Sequence, residues 1–211
     1  KKRGSATPTT ATSSSQTAIG YQALNANTTG SQNVAIGFGS LSTNTTGTLN
    51  VAIGNESLLS NTTGSNNLAM GHQALKSNTT ASNNTAIGHE ALEANTTGAS
   101  NVAIGSGALD ANTTGQDNVA IGNSALGGNT TASNNTAVGS AALLANTTGT
   151  QNVGLGSAAG DTITTGTGNI CIGHGATTAT SDRVYSITMG RDVASVGNYY
   201  FTFGVDASDH R

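Results

Sequence analysis

The five residues from Asn33 to Gly37 read NVAIG, and the four residues from Asn44 to Gly47 read NTTG. Both stretches recur at one constant spacing along the chain, and repetition at a fixed period without insertions is typical of stacked solenoid coils. The NTT triplet begins at Asn27, Asn44, Asn61, Asn78, Asn95, Asn112, Asn129 and Asn146. Glycines that end an NVAIG-like stretch stand at Gly20, Gly37, Gly54, Gly71, Gly88, Gly105, Gly122, Gly139, Gly156, Gly173 and Gly190.

The residues before each repeat glycine have the pattern of a short β-strand. Val34 and Ile36 alternate with Ala35 at a period of two, and no window has the three- and four-residue apolar spacing of a helix. A further copy of the strand pattern runs from Tyr200 to Gly204. Its final glycine follows Gly190 by fewer than 17 residues, so this copy is shifted relative to the period. We therefore predict an all-β, parallel β-solenoid (β-roll) of about twelve 17-residue coils, forming a rod roughly 55 to 60 Å long.

Stacked coils place equivalent residues in columns, and three columns have distinct predicted roles. Two of them are expected to form the core: Ile36, Ile53, Met70, Ile87, Ile104, Ile121, Val138 and Leu155 in one, and Leu24, Leu41, Leu58, Leu75, Leu92, Leu109, Leu126 and Leu143 in the other. The asparagine column that begins at Asn27 is expected to form an amide ladder at a corner.

The third column consists of alanines, which alternation would place on the face opposite the isoleucines. An outward position that stays this small suggests that another chain packs against it. We therefore expect a homotrimer, intertwined or side by side. Its interface residues would be Ala35, Ala52, Ala69, Ala86, Ala103 and Ala120.

The composition excludes several classes of partner. Only 8% of the residues are charged, and the net charge is −3. Outside the first three residues the cations are Lys76, Arg183, Arg191 and Arg211, which are too scattered to bind nucleic acid. No apolar run is long enough to span a bilayer, so we expect no membrane insertion.

The chain divides into four predicted segments. Residues 1–15 are an N-terminal tail or an expression remnant, and residues 16–156 are the regular repeats. Residues 157–207 are divergent terminal coils and a cap, and residues 208–211 are a separate stub, whose meaning depends on the resemblance described next.

The NVAIG unit followed by a small residue resembles the head repeats of trimeric autotransporter adhesins. It is also similar to fibres of tailed bacteriophages and related viruses. The resemblance covers residues 16 to about 190, although the usual repeat of the family is shorter and lacks NTT. It implies a left-handed parallel β-roll that assembles as a trimer.

The four residues from Ser208 to Arg211 read SDHR, which resembles the start of the intramolecular chaperone autoprotease at the end of phage tail fibres and spikes. That resemblance implies cleavage between Ala207 and Ser208 in a longer protein, with Ser208 as the nucleophile. A lysine would activate it, and no lysine follows Arg183 here. These residues alone are therefore not expected to catalyse the reaction.

Three histidines, His72, His89 and His174, each follow a repeat glycine. The first two would stack about 5 Å apart on adjacent coils. Their neighbours Gln73 and Glu90 supply one carboxylate, so we expect an exposed corner and no metal site.

No catalytic constellation is recognisable in the body of the chain. Cys171 stands in the alanine column and is expected to be a small buried residue. The carboxylates are scattered and have no paired base in a cleft. We therefore expect neither an enzyme nor a cofactor.

Five of the seven aromatic residues lie between Tyr185 and the end of the chain. The segment is expected to be either a terminal cap, which we favour, or a contact surface for a glycan or protein receptor. The candidate contact residues are Tyr199, Tyr200, Phe201, Arg183 and Arg191.

The leading hypothesis for function is a structural rod in a viral or phage tail fibre or spike, which supports attachment to the host surface. Its expected location is the virion tail fibre. The first alternative is the head of an extracellular adhesin on a bacterial surface. The second is an ice-binding solenoid, which would need threonines such as Thr28 and Thr29 to line one flat face. Because these two residues are adjacent, we expect their side chains to point to opposite sides of a strand.

Overall fold

The structure is a computed structural model that describes residues 14–205, and the side chain of Val205 is not described. It contains fourteen short strands, and no helix occurs within that range. The strands are β1 (Thr17–Ile19), β2 (Val34–Ile36), β3 (Val51–Ile53), β4 (Leu68–Met70), β5 (Thr85–Ile87), β6 (Val102–Ile104), β7 (Val119–Ile121), β8 (Thr136–Val138), β9 (Val153–Leu155), β10 (Ile170–Ile172), β11 (Thr177–Thr178), β12 (Ile187–Arg191), β13 (Ala194–Ser195) and β14 (Phe201–Val205).

Twelve of the strands form one parallel sheet in the order β1 to β10, then β12 and β14. The register advances by one full repeat at each step from β1 to β12, so that Val34 pairs with Val51 and Ile170 pairs with Ile187. The last step is shorter, because Gly190 pairs with Gly204. The parallel β-solenoid and the shifted final copy are therefore confirmed, with about 11 coils instead of about twelve.

Two further strands mark the divergent end of the chain. β11 pairs with β13 in a separate two-stranded parallel sheet. The register of the repeats nevertheless continues unbroken through β12, beyond the regular part of the sequence.

The interior of the regular coils holds alanine and leucine. The alanine column from Ala35 to Ala137 is fully buried within the single chain, as is the leucine column from Leu41 to Leu143. Their packing is tight, because a Cβ added at Gly154, which stands in the alanine column, would lie 3.0 Å from Cγ of Leu143. The leucines thus fill the space that larger strand residues would need.

This arrangement reverses the predicted orientation of the strands. The isoleucine column is not core: Ile36, Ile53 and Ile87 are only partly buried, and Met70 and Leu155 are exposed. The expected interface residues Ala35, Ala52, Ala69, Ala86, Ala103 and Ala120 face inward with no exposed surface. They cannot contact another chain, and that prediction is wrong.

The turns between strands use left-handed backbone at non-glycine residues. About three such residues occur in each coil, for example Leu41 (φ 49°), Leu49 (φ 59°) and Glu56 (φ 55°). The strand glycine has a different positive φ, 134° at Gly37. A Cβ there would lie 2.3 Å from the carbonyl oxygen of Gly54 on the next coil, so the close approach of coils requires glycine.

The predicted amide ladder is present and fully buried. Nδ2 of Asn44 donates to Oδ1 of Asn27 at 2.8 Å and to the Gly47 carbonyl at 3.0 Å, and the pattern repeats up to Asn146. Ile163 occupies the next position of this column. The ladder therefore satisfies buried carbonyl groups at one corner of every coil that contains it.

A second asparagine ladder was not anticipated. The backbone N–H of Asn50 donates to Oδ1 of Asn33 at 2.9 Å, and Nδ2 of Asn50 donates to the Gly64 carbonyl at 2.8 Å. The first residue of each NVAIG unit already showed the constant period that could have revealed it.

Candidate functional site

The outward side chains of the large sheet form one continuous surface, which we call the strand face. It comprises the first and third residues of each strand from β1 to β10, together with their partners in β12 and β14. They are Thr17, Ile19, Val34, Ile36, Val51, Ile53, Leu68, Met70, Thr85, Ile87, Val102, Ile104, Val119, Ile121, Thr136, Val138, Val153, Leu155, Ile170, Ile172, Ile187, Met189, Phe201 and Phe203. Every member is apolar or threonine.

Stacking explains why most of these side chains are only partly exposed. Neighbours in a column stand about 4.8 Å apart, so each side chain covers the flanks of the next and leaves its tip in solvent. Among the described residues, the first strand has β2 as its one neighbour in the sheet, and Ile19 there is 59% exposed. Phe203 in the last strand is 76% exposed. The strand face is thus a continuous surface of mainly apolar tips, interrupted by Thr17, Thr85 and Thr136.

The strand face is large for a free protein surface. Eleven steps of about 4.8 Å give a length of roughly 53 Å, and the two columns give a width of roughly 10 Å. The resulting area of roughly 500 Å² is at the upper end of the apolar patches found on monomers. Such a surface gains free energy when another surface covers it.

A second feature is the corner column, which consists of the residue after each strand glycine. Its members are all exposed: Tyr21, Phe38, Asn55, His72, His89, Ser106, Asn123, Ser140, Ser157, His174 and Arg191. Tyr21 stacks on Phe38 with ring centroids 5.5 Å apart, and His72 stacks on His89 at 5.1 Å. The predicted exposed corner and the predicted histidine stack are both confirmed.

The histidine stack lies beside the carboxylate of Glu90. Nδ1 of His89 is 3.5 Å from Oε2 of Glu90. One potential ligand atom from each of His72, His89 and Glu90 lies within 4.8 Å of the other two. The single carboxylate expected from the sequence is therefore close to both rings.

Charges around this cluster are predominantly negative. Nζ of Lys76 lies 3.4 Å from Glu56 and 3.8 Å from Glu93. The hydrogen bond from Gln73, with a further contribution from Lys76, lowers the pKa of Glu56. Burial raises the pKa of Asp110, and the negative charge of Glu90 adds to that effect.

The candidate contact residues near the end of the chain do not converge on one site. Tyr199 stacks on Tyr185 with centroids 5.6 Å apart, whereas Phe201 lies on the strand face. Arg191 occupies the corner column and pairs with Asp192 at 3.2 Å.

Arg183 and Tyr200 have separate surroundings. A guanidinium nitrogen of Arg183 lies 3.5 Å from the carbonyl oxygen of Val196, and Tyr200 is 56% exposed. β14 pairs with β12 along five residues and so covers the edge of that strand. A cap would have this arrangement, and the cap stays a prediction.

Two other predictions concern single residues. Cys171 is fully buried in the alanine column, as expected, and burial raises the pKa of its thiol to about 12. Ala207 and the stretch from Ser208 to Arg211 lie outside the described residues, as do residues 1–13 of the tail.

Comparison with models of known protein families, with characterised proteins and with solved structures gives no match to this chain. The resemblance to adhesin heads and phage fibres therefore stays a prediction. Within the described residues, no helix has the length and apolar character needed to cross a membrane.

Proposed function

We propose that this chain is a structural rod segment that assembles as a homotrimer in a viral or phage tail fibre or spike and supports attachment to the host surface. The observation behind the proposal is the strand face, a mainly apolar surface that runs along the whole stack of coils. The tail-fibre setting rests on the resemblance of the NVAIG repeats and of the SDHR stretch.

Assembly through the strand face follows from its chemistry. The outward tips of Ile53, Met70 and Ile87 remain in solvent in a single chain. A face of roughly 500 Å², extended by its flanks, approaches the roughly 800 Å² that each partner contributes to a stable interface. Because the face is continuous along the stack of strands, identical chains can pack lengthwise, and the number three follows from the resemblance.

The proposed interface thus differs from the one expected from the sequence. The alanines fill the coil interior, and the valine, leucine, methionine and isoleucine tips provide the contact surface. A rod of this kind would hold receptor-binding parts at a distance from the particle. The further partner is a glycan or protein receptor on the host.

The mass in solution tests the assembly. Light scattering coupled to size-exclusion chromatography should give about three times the chain mass of 20.7 kDa. Ile104→Glu should dissociate the assembly, because a carboxylate would be buried without a partner in the interface. A folded wild-type monomer would contradict the proposal.

A matched control places the same charge elsewhere. Thr80 is exposed in a bend between strands and lies off the strand face. Thr80→Glu should therefore keep the trimer mass. Dissociation of both variants would indicate a general effect of charge instead of an interface on the strand face.

The first alternative is the head of a bacterial surface adhesin, in which the same rod would act in an extracellular position. The exposed Tyr21–Phe38 stack favours a contact role, because exposed aromatic faces bind ligands. The sequence of the complete gene separates the two settings. A chaperone after Arg211 supports the fibre, and a coiled-coil stalk with a membrane anchor supports the adhesin.

The second alternative, an ice-binding solenoid, has less support. The hydroxyl group of Thr45 donates to the Thr62 carbonyl at 3.0 Å, and Thr62 donates in turn to Thr79 at 3.1 Å. This threonine column therefore uses its hydroxyl protons within the rod. Thermal hysteresis of the purified protein would support the alternative.

A further inference from the structure

We propose that His72, His89 and Glu90 form a binding site for a divalent transition-metal ion such as Zn²⁺. The inference is independent of the proposed rod function, because it needs only one folded chain.

Pairing of neighbouring strands brings the two imidazoles together. Met70 of β4 pairs directly with Ile87 of β5, so the residues two positions later, His72 and His89, stand one above the other. Their rings are nearly parallel, at 11°, with centroids 5.1 Å apart. The solenoid thus fixes two nitrogen ligands on adjacent coils.

The third ligand is positioned by a left-handed backbone that recurs at the equivalent turn position of other coils, such as Glu56 and Gln73. Glu90 has a φ of 56°, in the left-handed region, and its carboxylate lies beside the ring of His89. The N–H of Glu90 donates to the His72 carbonyl at 2.9 Å, which ties the residue to the coil of the other histidine. Glu90 therefore contacts both coils that contribute imidazoles.

Two imidazoles and a carboxylate are a recognised ligand set for zinc, which binds nitrogen at about 2.0 to 2.1 Å and oxygen at about 2.0 to 2.2 Å. Ligand atoms around a tetrahedral ion stand about 3.3 Å apart. The three ligand atoms lie within 4.8 Å of one another, so small rotations of exposed side chains would close the site. Water would complete the coordination.

The surrounding charge also favours a cation. Glu56, Glu90, Glu93 and Asp110 contribute four carboxylates to this part of the rod, and Lys76 is the cation that contacts two of them. Four carboxylates outnumber this one lysine, so the net charge of these carboxylates and the lysine is negative. An ion of charge +2 would reduce repulsion among these groups.

The same chain contains a matched control in His174. Nδ1 of His174 lies 3.0 Å from Oδ1 of Asp192, so this histidine also has a carboxylate neighbour. Its neighbours in the corner column are Ser157 and Arg191, not a second histidine. A pair with one imidazole and an adjacent guanidinium should bind a divalent cation far more weakly.

Isothermal titration of the full chain with ZnCl₂, in a buffer free of chelators and phosphate, tests the proposal. We expect one ion per chain with a Kd below about 100 µM. His72→Gln and His89→Gln should each raise the Kd for Zn²⁺ about tenfold or more. The control variant replaces the other two histidines of the chain, with His174→Gln and His210→Gln made together, and should leave the Kd unchanged. Circular dichroism of each variant would show whether the fold is retained.

Two results would overturn the site. One is a wild-type Kd weaker than about 100 µM. The other is retention of the wild-type affinity in the His72→Gln/His89→Gln double variant. Either result would leave the His89–Glu90 contact as an ordinary surface contact, and neither would bear on the trimeric rod.

Discussion

At the scale of single residues, the most unusual feature is buried leucine in left-handed backbone. Leu41, Leu58 and Leu92 have φ values of 49°, 51° and 54°, and all are fully buried. The left-handed conformation costs about 1 to 2 kcal/mol for a residue with a Cβ, whereas burial of a leucine side chain contributes about 1.5 to 3 kcal/mol. Packing of the leucine column therefore offsets the cost of the left-handed backbone at these positions.

The asparagine ladder allows a direct test at this scale. Nδ2 of Asn95 donates to Oδ1 of Asn78 at 3.0 Å and to the Gly98 carbonyl at 2.9 Å. Asn95→Leu should lower the free energy of unfolding by about 3 kcal/mol, because two buried acceptors lose their donor. Urea denaturation of the variant measures the loss, with Thr97→Leu on the exposed side of the corner as control. A change below about 0.5 kcal/mol would show that the ladder contributes little.

The buried thiol provides a second test. Cys171 has no exposed surface, and burial raises the pKa of its thiol from 9.0 to about 12. Iodoacetamide at about pH 8.5 should therefore label the unfolded chain in guanidinium and leave the folded protein unlabelled. Because the unfolded thiol ionises first, the contribution of this group to stability should decline as the pH rises above 9.0. Rapid labelling of the folded protein would contradict the buried position.

At the scale of the strand, three residues are too few to hold a conformation alone, and contact with the neighbouring coils stabilises each strand. The strand glycine sets that contact. At Gly88, with φ 140°, an added Cβ would lie 2.5 Å from the carbonyl oxygen of Gly105. The spacing between strands thus depends on one residue type at one position.

Two alanine substitutions distinguish the glycine columns. Gly88→Ala should destabilise the rod by several kcal/mol, since both the positive φ and the close carbonyl oppose a side chain. Gly98→Ala should cost less, because Gly98 has no positive φ and because Ala81 and Ala132 already occupy equivalent positions in its column, so the coils accommodate a Cβ there despite its close approach to the Gly115 carbonyl oxygen. Thermal melts of the two variants supply the comparison. Equal losses of stability would contradict a specific requirement for glycine at the end of the strand.

The sequence was sufficient to predict the period, the parallel stacking, the first asparagine ladder and the histidine stack, because all four follow from residue spacing. It did not reveal which side of the strand faces inward. The alternation of Val34, Ala35 and Ile36 is the same whichever side faces inward. Large apolar strand residues usually face the interior, but here Leu41 and its equivalents already fill that space, so the alanines face inward. The approach of Glu90 to His89 was also hidden, because it depends on a left-handed backbone at a glutamate.

At the scale of the whole molecule, each coil contacts only its neighbours, so stability is a sum over coils and the contacts between them. Deletion of residues 102–118, one complete unit, joins Asn101 to Val119 and keeps every column in register. The shortened chain should retain its circular dichroism spectrum and a melting temperature within a few degrees of the wild type. Deletion of residues 102–109, about half a unit, should abolish cooperative melting, since it breaks all columns. Equal behaviour of the two deletions would contradict the coil as the structural unit.

The direction of the strands also determines how the rod responds to mechanical force. The strands lie across the long axis, and the hydrogen bonds between coils, such as that from Val34 N–H to the Asn50 carbonyl, run along it. Tension applied to the two ends of one chain would load these interfaces in series, and the terminal coils would detach first because they have one neighbour. Each detached coil releases one repeat of chain, or roughly 50 Å of net extension. A pulled chain would therefore lengthen in steps of nearly equal size, and the rod would yield from its ends while the remaining coils kept their shape.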